Sequence, residues 1–140
     1  MSHYSVTANV QPTSLVAITA EGLPDLESGP PKEFGGSGEV WSPEDLLVAA
    51  VADCFVLSFR AIAKASKFAW NDVTCTVTGT LDKVERAMQF TEFEINVTLK
   101  LPADSDAERA ERLLQKAEQT CFITNSVKAE PTLKTHIETE

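Results

Sequence analysis

Basic side chains are scarce in this sequence. Lys and Arg number 12 against 21 Asp and Glu, for a net charge of −9. Nucleic acid and anionic membrane surfaces are bound by clustered Lys and Arg, so this balance argues against both as partners. Histidine is scarcer still, with only His3 and His136, near the two chain ends. Neither Cys-x-x-Cys nor His-x-x-x-His spacing occurs, so no metal site is expected. There is no Gly-x-Ser-x-Gly elbow and no phosphate loop; Gly35-Gly36-Ser37-Gly38 lacks the lysine and the strand–helix setting. Met1-Ser2-His3-Tyr4 is not the basic-then-apolar opening of an export signal. The longest apolar run, Leu46 to Ile62, is interrupted by Asp53, Ser58 and Arg60, and reads as a buried helix rather than a membrane span. The expected setting is the cytoplasm. In a reducing compartment three cysteines do not make a disulfide framework, which leaves buried thiols or redox groups.

The 140 residues fit one domain, 1–140, with enough chain to bury a core. Tyr4, Val6, Ala8 and Val10 alternate with polar residues, and Leu15 to Ala20 follows a Pro-containing turn; both read as strands. Glu21 to Trp41 holds most of the Gly and Pro and reads as a long loop. Ser42-Pro43-Glu44-Asp45 is a helix start, with a capping hydroxyl, a proline suited to the first turn and acids at the positive end. The helix should run to about Ser66. It is apolar nearly all round, which places it at the centre of the fold. Val73 to Leu81 and Phe93 to Leu101 alternate with period two and form two half-buried strands. Ser105-Asp106-Ala107-Glu108 has the form of a capping box, opening a helix with Ala107, Ala110, Leu113, Leu114, Ala117 and Cys121 on one face. A last strand is expected near Thr132 to Ile137. The order β-β-α-β-β-α-β is α+β, with an antiparallel sheet wrapping two long, apolar central helices. The Leu46-to-Ile62 helix is too apolar for about five short strands to cover on every side, which points to a homodimer.

Cys54 lies in Ala49-Ala50-Val51-Ala52-Asp53-Cys54-Phe55. A free cysteine there packs as a small hydrophobe, with a raised pKa unless a cation or donor is near. Cys121 either closes the apolar face of the second helix or, if that helix breaks near Thr120, begins the next turn, where a helix dipole would favour its thiolate. Cys75, on the apolar face of a strand, reads as packing.

Ser42-Pro43-Glu44-Asp45-Leu46-Leu47-Val48-Ala49-Ala50-Val51-Ala52-Asp53-Cys54 resembles the first cysteine motif of the OsmC/Ohr family: a Pro-Glu helix start, an Ala-rich stretch, and a Cys ten residues after the Glu. Cys121-Phe122-Ile123-Thr124-Asn125-Ser126-Val127 resembles its second, a Cys followed by a Ser/Asn-containing turn. The element order also matches. The resemblance implies an OsmC-like fold, an intertwined homodimer and a site near the subunit interface. It further implies a peroxidase chemistry in which the first Cys, here Cys54, attacks a small apolar hydroperoxide and the second, here Cys121, resolves it as a disulfide. A dithiol reductant would reset the pair, with no cofactor. The helix-start Glu maps to Glu44. The sequence departs from that pattern in one place: active members carry an N-terminal Arg that pairs with the Glu, whereas the first Arg here is Arg60, preceded only by Lys32 among bases. Lys32, Arg60, Arg86 and Lys128 are possible substitutes, each also readable as a solvated charge. Asp53 would oppose a Cys54 thiolate if it pointed inward. Glu44 alone could be a dipole-complementing acid, and ten residues of helix place it about 15 Å from Cys54. Two functions stand against each other: a thiol peroxidase for organic hydroperoxides, and a non-enzymatic redox-sensing or apolar-ligand-binding dimer on the same fold. A third reading leaves both thiols inert.

Overall fold

The computed structural model describes residues 1–140. They divide into two compact units, residues 1–47 and residues 48–140. In the first, β1 (Thr7–Asn9), β2 (Val16–Thr19) and β3 (Leu26–Ser28) form an antiparallel sheet in the order β1-β2-β3. Thr7 lies opposite Thr19, and Val16 opposite Ser28. The turn between β1 and β2 is closed locally: the Gln11 amide donates to Ser14 Oγ at 2.9 Å. The stretch expected to be a long loop is therefore partly ordered, since it contains β3. A 3-10 turn over Lys32–Phe34 follows Pro31, and the Gly29 amide then donates to the Trp41 carbonyl at 3.0 Å. Gly36 is required here, because a Cβ at that position would lie 1.7 Å from the Pro30 carbonyl oxygen.

Helix α1 (Pro43–Ala65) carries the chain from the first unit into the second. Its start is a reciprocal cap. The Asp45 amide donates to Ser42 Oγ at 3.0 Å, and the Ser42 amide donates to the Asp45 carboxylate at 3.1 Å. Such a cap satisfies backbone donors that the first helical turn leaves free. The helix ends at Ala65, within one residue of the expected end near Ser66. Lys67 takes the left-handed conformation at φ 53°, and the Phe68 amide reaches back to the Ala63 carbonyl at 2.9 Å. By length and composition α1 could cross a membrane. In the folded chain Val51, Phe55, Phe59 and Ala63, spaced by four, are wholly buried. The single chain buries one stripe of α1 and leaves Leu57 45 % exposed, in keeping with a helix that its own strands cannot cover on every side.

The second unit is built on β4 (Asp72–Val84), β5 (Ala87–Leu101) and β6 (Pro131–Thr139), in that order. The alternating apolar residues of β4 and β5 share one face: Val73 lies opposite Leu99, Cys75 opposite Val97 and Val77 opposite Ile95. Both strands run longer than expected. They continue to a two-residue turn at Glu85-Arg86, where both residues have positive φ, as the right-handed twist of a tight hairpin requires. The sheet is not wholly antiparallel, as expected, because β6 pairs with β5 in parallel. The physical reason is the connection: α2 (Ala107–Gln119) crosses between β5 and β6, returning the chain to start the next strand at the same end. The fold is thus mixed α+β, with two helices and two three-stranded sheets.

Helix α2 is capped by Asp106, whose carboxylate accepts from the Arg109 amide at 3.0 Å. The expected capping hydroxyl, Ser105, instead donates to the Pro102 carbonyl at 2.6 Å. Ala110, Leu113, Leu114 and Ala117 are buried, and the row Phe93, Ile95, Val97, Leu99 and Leu101 supplies the sheet's share of the core. Two polar ties fix α2 in place. Thr135 Oγ1 donates to Glu111 at 2.6 Å, and the Arg109 guanidinium, over the Phe68 ring, donates to the Ser66 carbonyl.

Candidate functional site

The Cys54 side chain leaves α1 one residue before the buried Phe55 and is itself half-buried. Ser58, one helical turn on, places its hydroxyl 3.9 Å from the sulfur. Helix α2 ends at Gln119, with Thr120 as its cap. Cys121 is therefore the start of the next turn and not the last position of the helix face. It is 1 % exposed, and its carbonyl accepts from the Asn125 amide at 3.1 Å and from Thr124 Oγ1 at 3.2 Å. These bonds fold residues 121–126 back on themselves and turn the Phe122 and Ile123 amides toward Cys54.

The two thiols are adjacent and unlike. Burial pushes the Cys54 thiol up, but donors outweigh it: the Cys121 thiol, the Ile123 amide, the Ser58 hydroxyl and the Phe122 amide together hold it below its ordinary value. Burial pushes Cys121 up, and its role as donor to Cys54 pushes it further; Thr124 and the Ile123 amide offset this only in part. The expected help from a helix dipole at Cys121 is overridden by its desolvation. Cys75 stands apart. Burial, then the charge of Cys121, pushes it up to about 11, so it stays a protonated packing thiol at neutral pH. All three cysteines are free.

A cavity of about 410 Å³ opens beside Cys54. Ala50, Leu57, Ala61, Phe122 and Ile123 make it apolar, and Ser58 and Asp53 are its polar lining. Leu57 and Phe122 form a rim, and Phe122 is 79 % exposed. Asp53 is exposed at the cavity and does not figure among the groups acting on Cys54. Arg60, Arg86 and Lys128, the bases weighed from sequence, are exposed and do not line the cavity. Lys32 is exposed on the 3-10 turn of the first unit. The donors that replace a cation are the Phe122 and Ile123 amides and Ser58. Only Ser58 had a sequence signal, its i+4 spacing from Cys54. Glu44 lies on the first turn of α1, with Oε1 buried and unpartnered. The unbroken α1 keeps it about 15 Å along the helix from Cys54. No group of three or more His, Cys, Asp or Glu side chains is placed to hold a metal ion.

Residues 36–136 match the family model for OsmC-like proteins. The chain belongs to the OsmC-like family. Peroxiredoxin OsmC of Escherichia coli is 29 % identical over 92 residues, a match covering 66 % of this chain and 64 % of that protein, a little under two thirds of its length. An OsmC-like protein of unknown function from Vibrio cholerae has the same fold, with a TM-score of 0.89 at 19 % identity over 97 % of this chain and 100 % of that one. An organic hydroperoxide resistance protein OsmC from Legionella pneumophila superposes with a TM-score of 0.77 at 24 % identity, over 99 % and 98 % of the two chains. The OsmC-like family thus includes peroxiredoxin and hydroperoxide resistance proteins alongside members of unknown function.

Proposed function

We propose that this OsmC-like protein is a thiol-dependent peroxidase for organic hydroperoxides. The observation that carries the reading is the adjacent pair of unlike thiols, Cys54 lowered and Cys121 raised, beside an apolar cavity. In the first step the Cys54 thiolate attacks the distal peroxide oxygen. The O–O bond breaks, the alcohol leaves with a proton, and Cys54 becomes a sulfenic acid. In the second step Cys121 attacks the Cys54 sulfur. The S–O bond breaks, water leaves, and the Cys54–Cys121 disulfide forms. The hydroperoxide has gained two electrons, and two thiols have lost them. A dithiol reductant restores both thiols in a cytoplasmic setting, and no cofactor takes part.

A low thiol pKa matters because the thiolate is the nucleophile. A high pKa on Cys121 fits the second role, since it stays a proton donor to Cys54 until the sulfenic acid forms. The cavity suits an apolar alkyl or aryl group, which would leave the polar OOH end for Cys54 and Ser58. Glu44 has a buried, unpartnered Oε1 about 15 Å along α1 from Cys54, so its role at the site requires the neighbouring subunit or a long cation between the two. A homodimer would also cover the apolar side chains left in solvent, among them Tyr4, Val6, Leu23, Phe34 and Trp41.

Two measurements test this. Treatment with one equivalent of cumene hydroperoxide, followed by peptide mapping, should give a Cys54–Cys121 link; a main disulfide through Cys75 contradicts the assignment. Sedimentation at micromolar concentration should give a dimer, and a monomer contradicts the proposed assembly. A second reading, a redox-sensing or ligand-binding dimer, is favoured by the size and apolar lining of the cavity, which would also hold a small molecule without turnover.

A further inference from the structure

We propose that Asp53 makes the Cys54 cavity selective for neutral or cationic hydroperoxides and against those carrying a carboxylate. This rests on the peroxidase reading above. Asp53 is the residue next to Cys54 on α1, and it is the one charged side chain lining the cavity. The other lining groups are neutral. No Lys or Arg among them balances the carboxylate, and the chain as a whole carries a net charge of −9.

A hydroperoxide that reacts at Cys54 must bring its OOH group to the sulfur, so the rest of the molecule lies in the cavity or crosses its rim at Leu57 and Phe122. A second negative charge on that molecule then sits within about one Debye length of Asp53, roughly 8 Å at physiological salt. Low-dielectric walls such as these focus the field of a lone charge into the cleft. Repulsion between two unit charges at that range, in a dielectric between protein and water and screened by salt, lowers productive encounter about threefold. An alkyl or aryl hydroperoxide without charge escapes this, and a cationic one gains from it.

The test uses a matched pair of substrates, cumene hydroperoxide and the same molecule with a para-carboxylate. Their kcat/KM values are measured at pH 7 with excess dithiothreitol. The ratio of neutral to anionic rate is the readout, because any effect of a substitution on Cys54 reactivity cancels in it. The native protein should favour the neutral substrate about threefold at physiological salt, with the preference growing at low salt and shrinking as salt rises. Asp53→Asn should bring the ratio near one, and Asp53→Lys should reverse it. Equal rates in the native protein, a preference that does not change with salt, or a ratio that Asp53→Asn leaves intact overturns the inference alone. No consumption of either substrate overturns the peroxidase reading and the inference with it. The salt series needs only the native chain, so the result stands even if a variant fails to fold.

Discussion

Phe55 and Phe59, in residues 48–140, are wholly buried, while Phe34 and Trp41, in residues 1–47, are more than half exposed. The contrast extends through both units. Every fully buried apolar side chain lies at or beyond Val51; the first unit buries only Ser28, Gly29 and Ser42. Its order comes from backbone pairing and caps, in strands of three, four and three residues. Sheets that small need an apolar face packed on something to be stable by themselves. The second unit has long strands, a packed helix and the candidate site. The difference teaches where each kind of substitution should be felt: in the second unit as lost folding energy and lost chemistry, in the first as altered association.

Four substitutions test that division. The largest effect is expected at the core. Phe55→Ala removes a fully buried ring and should cost about 3–5 kcal/mol in urea unfolding. A cost below about 1 kcal/mol would mean that this stripe is not the core of the second unit. Next is Gly79→Ala, which sets a Cβ 2.9 Å from Phe90 and 3.0 Å from Val48. Overpacking there should cost about 1–3 kcal/mol, and a neutral outcome would mean that the Phe90 ring and the Val48 side chain move aside freely. Asp106→Ala removes the cap of α2 and should cost about 1 kcal/mol, with Ser105→Ala costing less; the reverse ranking would restore the capping role to Ser105. Trp41→Ser should have the smallest effect on folding, within about 0.5 kcal/mol at high dilution, and should show instead as weaker self-association in sedimentation. A large loss at high dilution would mean that the first unit does hold a core of its own.

The thiols give a pH-dependent version of the same contrast within one unit. Because only the thiolate reacts, alkylation of Cys54 should rise through a midpoint below the ordinary thiol value, while Cys75 should be labelled only as the pH nears about 11. Equal midpoints would remove the assigned donors from the account.

What was legible in the sequence follows from what leaves a residue-type signature. The alternation Val73-Cys75-Val77 against Ile95-Val97-Leu99 marked β4 and β5, and Ser42-Pro43-Glu44-Asp45 marked the start of α1. The spacing of Ala110, Leu113, Leu114 and Ala117 marked the buried face of α2. Strand β3 left no such mark, being three residues in a Pro- and Gly-rich stretch. The parallel pairing of β6 is set by the α2 crossover and not by anything in Pro131–Thr139. The choice of Asp106 over Ser105 as cap turned on one residue of register. At the site, Cys54, Cys121 and Glu44 were visible as residues, but the Phe122 and Ile123 amides were not, because every residue carries a backbone N–H. Those donors meet the condition under which the Cys54 pKa is not expected to be raised.

The central claim is that Cys54 is the nucleophile and Cys121 its resolving partner. Its most direct test is the rate of cumene hydroperoxide consumption with excess dithiol by the native protein, Cys54→Ser and Cys121→Ser. Cys54→Ser should abolish consumption, and Cys121→Ser should allow one round of oxidation without recycling through the disulfide. Full consumption by Cys54→Ser would contradict that claim.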